Sequence, residues 1–431
     1  MLTADQNRLL TEIGPGSRMG ALMRRYWQPF AAVSQMDNLE TKAVRLMGED
    51  LVLYKDLSGN FGLIDRQCAH RRADLSYGFV EKEGLRCNYH GWLFGADGRC
   101  IEQPFEETAN PSSAQKDRIR IRNYRVQAHA GLLWAYMGPE PAPLVPNWEP
   151  FTWKNGFVQI VISEVPCNWF QCQENSIDPV HFEWMHDNWS IRLKGDPNQA
   201  AKAYAPKHLK VDFEEFDYGI QYKRQREGAS DDHPLWTIGR VCLWPYALFT
   251  GNHFEWRVPV DDNTTLSVGW FFSRVPKDKE PFVQKRIPYW YAPVKDPVTG
   301  RWITSHVMNQ DYVAWVGQGT IADRTKEHLA RSDRGIAMMR QRYLSDLKKI
   351  AAGEDPKATI RDAKVNECIR LPIAARKELT EGLEREYLSA TGTNKPLGGS
   401  GLRDFVWLTG QPPEIKQAYL EAMGYAATSK A

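Results

Sequence analysis

Residues 67–92 read QCAHRRADLSYGFVEKEGLRCNYHGW, and within them Cys68, His70, Cys87 and His90 spell C-x-H, sixteen residues, then C-x-x-H. Turn-forming residues adjoin each half, Gln67 and Arg71 at the first and Asn88 and Gly91 at the second. Two short loops, each offering one thiolate and one imidazole, can close around a single inorganic centre. A structural zinc site uses the same donor types in a closed tetrahedron. Zinc fingers, however, pair cysteine with cysteine and histidine with histidine along the chain. Alternating Cys/His pairs suit a [2Fe–2S] centre with both thiolates on one iron and both imidazoles on the other, which raises the potential relative to an all-cysteine cluster. The spacing therefore predicts an iron–sulfur site on a small, loop-rich β domain.

The surrounding texture agrees. From about residue 43, short β-rich runs alternate with turn signals: AVRLM, LVLYKDL, FGLID and GLRCNYHGWLF, then RIRIRNYRVQAHAGLLWAYMG, parted by clusters such as Ser58-Gly59-Asn60 and Ala96-Asp97-Gly98. Ahead of them, Thr3 and Gln6 make a capping-box pattern before a helix that Gly14-Pro15-Gly16 ends, and a second helix is expected over residues 17–26. The Pro-rich tract PEPAPLVPNWEP at 139–150 marks a boundary. Beyond it come a strand (FVQIVISEV), a helical stretch near 167–190, a meander of five or six antiparallel strands, and a return to helix from about residue 304. The expected organisation is α+β: N-terminal helices over 1–26, an all-β domain over 27–145, and an α+β domain over 146–431.

A second constellation lies just past the boundary. The segment ENSIDPVHFEWMH contains Asn175, Asp178, His181 and His186. On an ideal helix Asp178 and His181 share a face, whereas His181 and His186, five apart, diverge by about 140°, so both can meet one metal only through a bend or break. Zincins use H-x-x-x-H, which this is not. Two imidazoles and one carboxylate, with a face left open, is the arrangement of a non-haem Fe(II) that activates O2. The carboxylate is expected from the C-terminal helical region, where Asp311, Asp323, Glu327 and Asp333 are available; Asp311, at the head of the returning helix, is favoured, and Asp323 reads as a cap or ion-pair partner.

Together these motifs resemble the large (alpha) subunit of the Rieske non-haem iron oxygenases, in particular the phthalate-dioxygenase-like group that acts on aromatic acids. The resemblance spans nearly the whole chain, through CAH, CNYHGW, ENSIDPVHFEWMH, NQDYVAWVGQG and DRTKEHLARSD. It implies a Rieske [2Fe-2S] β domain followed by a helix-grip catalytic domain, with Cys68 and Cys87 on one cluster iron and His70 and His90 on the other. It implies a mononuclear Fe(II) on His181, His186 and Asp311, with Asn175 beside it. Asp178 falls on the family's bridging aspartate, which links this iron to a cluster histidine of a neighbouring subunit in a head-to-tail trimer, which can stack into hexamers. It also implies oxygenation of an aromatic acid with O2, by ring dihydroxylation or by O-demethylation of a methoxy-aromatic such as a lignin-derived biaryl.

The run LWTIGRVCLW, read at period two, places Trp236, Ile238, Arg240, Cys242 and Trp244 on one face, with Arg240 a candidate anchor for a substrate carboxylate. No G-x-G-x-x-G fingerprint is present, so electrons are expected from a separate NAD(P)H-dependent reductase, with or without a ferredoxin, docking near His70 and His90. Lys plus Arg is 55 against 53 Asp plus Glu, a balance that favours neither nucleic acid nor an anionic membrane as partner. No apolar run nears the ~20 residues of a bilayer span, and the N-terminus lacks a secretory pattern. Seven cysteines, an odd and sparse count, suit a reducing, cytoplasmic setting. Cys100, Cys167, Cys172, Cys242 and Cys368 are expected to be buried apolar residues. The alternatives are a non-catalytic Rieske electron carrier, which leaves some 280 residues without purpose, and a zinc-knuckle module.

Overall fold

The computed structural model describes residues 1–189, 207–372 and 410–424. It separates into two compact units: one is Ile13–Val145 with Pro259–Asp261, and the other is Met1–Glu12, Pro146–Val258 and the residues from Asp262 on. The Pro-rich tract straddles the Val145/Pro146 boundary. Residues 1–26, expected as a segment of their own, divide between the units, the helix Ala4–Thr11 going with the larger and Arg18–Met23 with the smaller.

In the smaller unit a six-stranded sheet runs, edge to edge, Gln28–Ala32, Leu132–Tyr136, Asn123–His129, Phe61–Asp65, Glu49–Lys55 and Thr41–Leu46. Two of its hairpins close on two residues with positive φ, Met47-Gly48 and Ala130-Gly131, the turn geometry that matches strand twist. A second meander of four short strands, Phe79–Val80, Leu85–Arg86, Leu93–Phe94 and Cys100–Glu102, carries the loop with Cys87 and His90 between its middle pair. Val52, Tyr54, Ile64, Leu75, Leu85, Phe94 and Ile121 form one buried core with Cys68, Cys87 and Trp92, so the two loops rest directly on the packed interior.

The larger unit holds an eight-stranded sheet, wider than the meander expected. Its order is His208–Phe216, Gly219–Arg226, Arg240–Leu243, Ala247–Phe249, His253–Asp261, Thr264–Arg274, Gly156–Val165 and Tyr289–Tyr291. Gly156–Val165 pairs along its full length with Thr264–Arg274, and Tyr289–Tyr291 lies parallel on its other side. The helix Val307–Gly317 packs Met308, Tyr312 and Trp315 onto this sheet against Val161, Val165, Phe271 and Trp290. The return to helix expected from about residue 304 takes the form of two helices, Val307–Gly317 and Arg334–Ala351, with 318–330 non-helical between them. No helix among the described residues is long and apolar enough to cross a membrane.

Candidate metal centres

The two loops of the smaller unit are built alike. The Cys68 carbonyl accepts the Arg72 amide at 3.0 Å and the Cys68 amide donates to the Ala73 carbonyl at 2.8 Å. Nineteen residues on, the Cys87 carbonyl accepts the Gly91 amide at 3.0 Å and the Cys87 amide donates to Trp92 at 2.8 Å. Each loop turns through a positive φ at its fifth residue, 61° at Arg72 and 76° at Gly91. Arg66 braces the first by gripping Asp74 at 2.5 and 2.8 Å; Arg86 braces the second by donating to the Gly91 carbonyl at 2.6 Å.

This frame sorts the donors. Cys68 and Cys87 are buried, whereas His70 and His90 are exposed with ring centroids 4.5 Å apart, and Trp92 stacks on His70 at 4.6 Å. Burial, with the neighbouring Cys87 adding to it against a backbone hydrogen bond from His70, pushes the Cys68 thiol up to about 12. Such a thiol ionises only when a cation compensates it. Partial desolvation and the charges of His70 and Arg71 lower His90 from its ordinary value, which favours the neutral imidazole a metal requires. Two buried sulfurs and two outward imidazoles fit a [2Fe-2S] cluster whose histidine side faces solvent.

In the larger unit, the helix Trp169–Asn175 starts at Asn168, whose side chain caps Phe170 at 3.0 Å and donates to the Thr11 and Asp262 carbonyls. Gln171 reaches from it to the end of the facing helix, donating to the Trp315 carbonyl at 2.7 Å and, in the turn just past the helix, to the Gly319 carbonyl at 2.8 Å, which joins the two elements. The chain leaves the helix after Asn175, so Asp178 and His181 do not share a helix face as expected; Asp178 sits in the break, its Oδ1 accepting the Val180 amide at 2.8 Å. Helix then resumes as a π turn over Phe182–Asp187. That turn resolves the spacing problem, because i→i+5 bonding brings residues five apart back to one side of the helix. His181 and His186 now face each other, ring centroids 5.3 Å apart.

Asp311, a turn into Val307–Gly317, completes the set. Its Oδ1 lies 3.6 Å from His181 Nε2 and 3.4 Å from His186 Nε2, and one ligand atom from each residue falls within 4.8 Å of the other two. Ligands ~2.1 Å from an ion and roughly 90–110° apart are separated by about 3.0–3.4 Å, so the trio converges at close to ligand spacing, slightly wider at His181, and would hold a single metal with one face open. Asn175 donates to Asp311 Oδ1 at 3.2 Å, Asp178 Oδ2 approaches His181 Nδ1 at 3.5 Å, and Gln310 Oε1 meets His186 Nδ1 at 2.8 Å. Burial alone would raise the Asp178 pKa, but His181 and the backbone amides outweigh it and hold the carboxyl below its usual range. Gln310 carried no sequence signal beyond being a polar residue at a core position.

The other carboxylates go elsewhere. Asp323 caps Thr325 and pairs with Lys326, interactions that hold it at about 2; Glu327 binds Arg340; Asp333 accepts the Ala330 amide. The alternation read through LWTIGRVCLW is broken: Pro234–Thr237 is a helical turn capped by His233, and only Arg240–Leu243 is strand. Trp236 and Ile238 therefore leave the face, while Arg240 and Cys242 keep it. Gln173 donates to Cys242 Sγ at 3.1 Å, so that face lies beneath the helix bearing Asn175. Arg240 is buried with its guanidinium 4.2 Å from the ring of Phe182, the neighbour of His181; Arg224 lies 4.7 Å from the same ring. Cys368 corrects another expectation, being exposed because it lies in the irregular stretch after the last long helix.

An all-β unit with a two-cysteine, two-histidine loop pair, followed by a sheet-and-helix unit with a two-histidine, one-carboxylate trio, defines a terminal oxygenase, and the chain belongs to the Rieske non-haem iron oxygenase family as an oxygenase (alpha) subunit. It carries a Rieske [2Fe-2S] cluster and a mononuclear iron. The Rieske [2Fe-2S] domain family matches residues 26–124. Over 430 residues, spanning 100% of this chain and 99% of the relative, it is 58% identical to the 5,5'-dehydrodivanillate O-demethylase oxygenase subunit of Sphingobium sp. (strain NBRC 103272 / SYK-6). It is 30% identical to the phthalate 4,5-dioxygenase oxygenase subunit of Pseudomonas putida, over 82% of this chain and 88% of that protein. Its fold matches the oxygenase in the reduced oxygenase–ferredoxin complex of carbazole 1,9a-dioxygenase, with a TM-score of 0.51 at 19% identity over 85% of this chain and 97% of that one. The electron-carrier and zinc-module alternatives fall with this likeness to oxygenases along the whole chain.

Proposed function

We propose that this chain O-demethylates a methoxylated biaryl acid of the dehydrodivanillate type, with electrons from a separate NAD(P)H-dependent reductase, directly or through a ferredoxin. The observation that carries this reading is the 58% identity extending from end to end of both proteins, through both donor sets. The reaction balances as aryl methyl ether plus O2, two electrons and two protons giving phenol, formaldehyde and water; hydroxylating the methyl carbon yields a hemiacetal that collapses by breaking its C–O bond. When bound, the cluster relays single electrons and the lone iron supplies the place where O2 is reduced.

The chain's own residues position the rest. Cys68 and Cys87 hold one cluster iron, His70 and His90 the other, and His181, His186 and Asp311 hold the lone iron. Asn175 steadies the Asp311 carboxylate through its amide. Asp178 faces His181 Nδ1 on one side and, in a head-to-tail trimer, would meet a cluster histidine of the next chain on the other, giving an oriented path between centres. Arg240, on the buried sheet face beside Phe182, takes the substrate carboxylate in a bidentate contact of the kind guanidinium makes best. The test is product analysis with a methoxylated biaryl dicarboxylate, O2, an added NADH-dependent reductase and ferredoxin, and limiting NADH. One formaldehyde per O2 and a product lighter by one CH2 is the expected result. A cis-diol carrying both oxygen atoms, with no formaldehyde, would reassign the chain to ring dihydroxylation.

A further inference from the structure

We infer that Gln310 is a positioning residue for the iron site, fixing His186 in one tautomer and aiming its Nε2 at the metal; this rests on the reading that His181, His186 and Asp311 hold the iron. The geometry leaves little freedom. Gln310 is 1% exposed, and its Nε2 lies 3.0 Å from the Thr304 carbonyl, which can only accept. That contact sets which end of the amide is nitrogen, so the end 2.8 Å from His186 Nδ1 is the oxygen. An amide oxygen can only accept as well. His186 must therefore carry a proton on Nδ1, so that in the neutral ring a metal requires the lone pair is on Nε2, 3.4 Å from Asp311.

The two imidazoles are thus backed by different chemistry. His181 has a carboxylate 3.5 Å behind it, whereas His186 has a neutral amide anchored to backbone. Because Gln310 and Asp311 are adjacent on Val307–Gly317, the helix that supplies the carboxylate ligand also orients one of the histidines presented by the other element. Hydrogen-bond partners behind metal-ligating histidines typically change metal affinity by about 10–100-fold when removed.

The experiment uses the full chain with its cluster intact and oxidised, hence EPR-silent, and measures Fe(II) affinity of the mononuclear site anaerobically against a competing chelator. Gln310→Met, which keeps the length and removes both polar atoms, should weaken Fe(II) binding about 10–100-fold and alter the EPR spectrum of the ferrous–nitrosyl adduct. Gln310→Glu, which keeps an acceptor for Nδ1–H, should recover most of the affinity. Asn309→Ala, on the same helix, serves as the structural control, since it removes a part-buried bond from the Asn309 amide to the Pro293 carbonyl (3.0 Å); it should lower the melting temperature and leave Fe(II) affinity alone. His186→Ala should lose the iron. If His186→Ala keeps it, the ligand assignment fails and this inference with it. If His186→Ala loses iron while Gln310→Met binds like wild type, or Asn309→Ala weakens binding as much as Gln310→Met, the role given to Gln310 alone is wrong.

Discussion

Glu174, the residue before Asn175, offers a test of how the helix Trp169–Asn175 is held beside the site. Its carboxylate is buried and receives Arg324 through Nε at 3.0 Å to both oxygens and Nη2 at 2.6 Å, and Arg340 through Nε at 2.8 Å and Nη2 at 2.5 Å. Arg340 has a second carboxylate in Glu327, but Arg324 has none among the described residues; its remaining partners are Asn7 Oδ1 and the Ala322 carbonyl. Glu174→Gln preserves shape and removes the charge, leaving one guanidinium uncompensated at 2% exposure. Breaking a buried pair in this way costs about 3–5 kcal/mol. At roughly 2–4 °C per kcal/mol, the melting midpoint should fall by roughly 6–20 °C, read by thermal denaturation with calorimetry as a check. The double variant Glu174→Gln/Arg324→Met removes the stranded cation and should regain about half the loss, because an apolar replacement of similar volume avoids the desolvation cost. A single variant within about 1 kcal/mol of wild type, or a double variant less stable than the single, would refute the reasoning.

Other outcomes follow from the same geometry. Asp178→Asn should keep both metals and lose turnover; substantial retained activity, assayed with metal content measured on the same sample, removes the bridging role. Arg240→Ala should raise KM for a carboxylated substrate far more than for its neutral analogue, and equal losses discard the anchor. Burial would raise Glu255, but Arg257 at 2.6 Å and His253 at 3.1 Å outweigh it and hold the carboxyl at about 2. A carboxylate depressed from ~4.3 stabilises the fold above that pH and loses its contribution as pH falls toward 2. Denaturant unfolding of Glu255→Gln should accordingly depend less on pH between about 4.5 and 2.5 than the wild type; an unchanged slope would remove Glu255 from the acid response.

What could be read from the chain alone was local. The two Cys/His loops declare themselves by spacing, since each is a self-contained turn whose cysteine starts it and whose histidine follows two or three residues on. His181 and His186 were legible as residue types and illegible as geometry: ideal helical angles set them apart, and only the π turn reunites them. Asp311 had to be chosen among four carboxylates, because its partners lie about 130 residues upstream and no short-range pattern records that contact. The placement of Gly156–Val165 inside the sheet, a hundred residues before its neighbour Thr264–Arg274, was hidden for the same reason. The alternation through Trp236 failed at Gly239, whose φ of 80° ends a capped turn that period-two counting cannot see.

The wide turn over Phe182–Asp187 has a consequence for altering this protein. Deleting one residue from it would convert H-x4-H into H-x3-H, the pair that an ordinary helical turn presents together. The present grip on the ion and a zincin-like one are thus a single codon apart, separated only by whether a π turn or an α turn joins the two imidazoles.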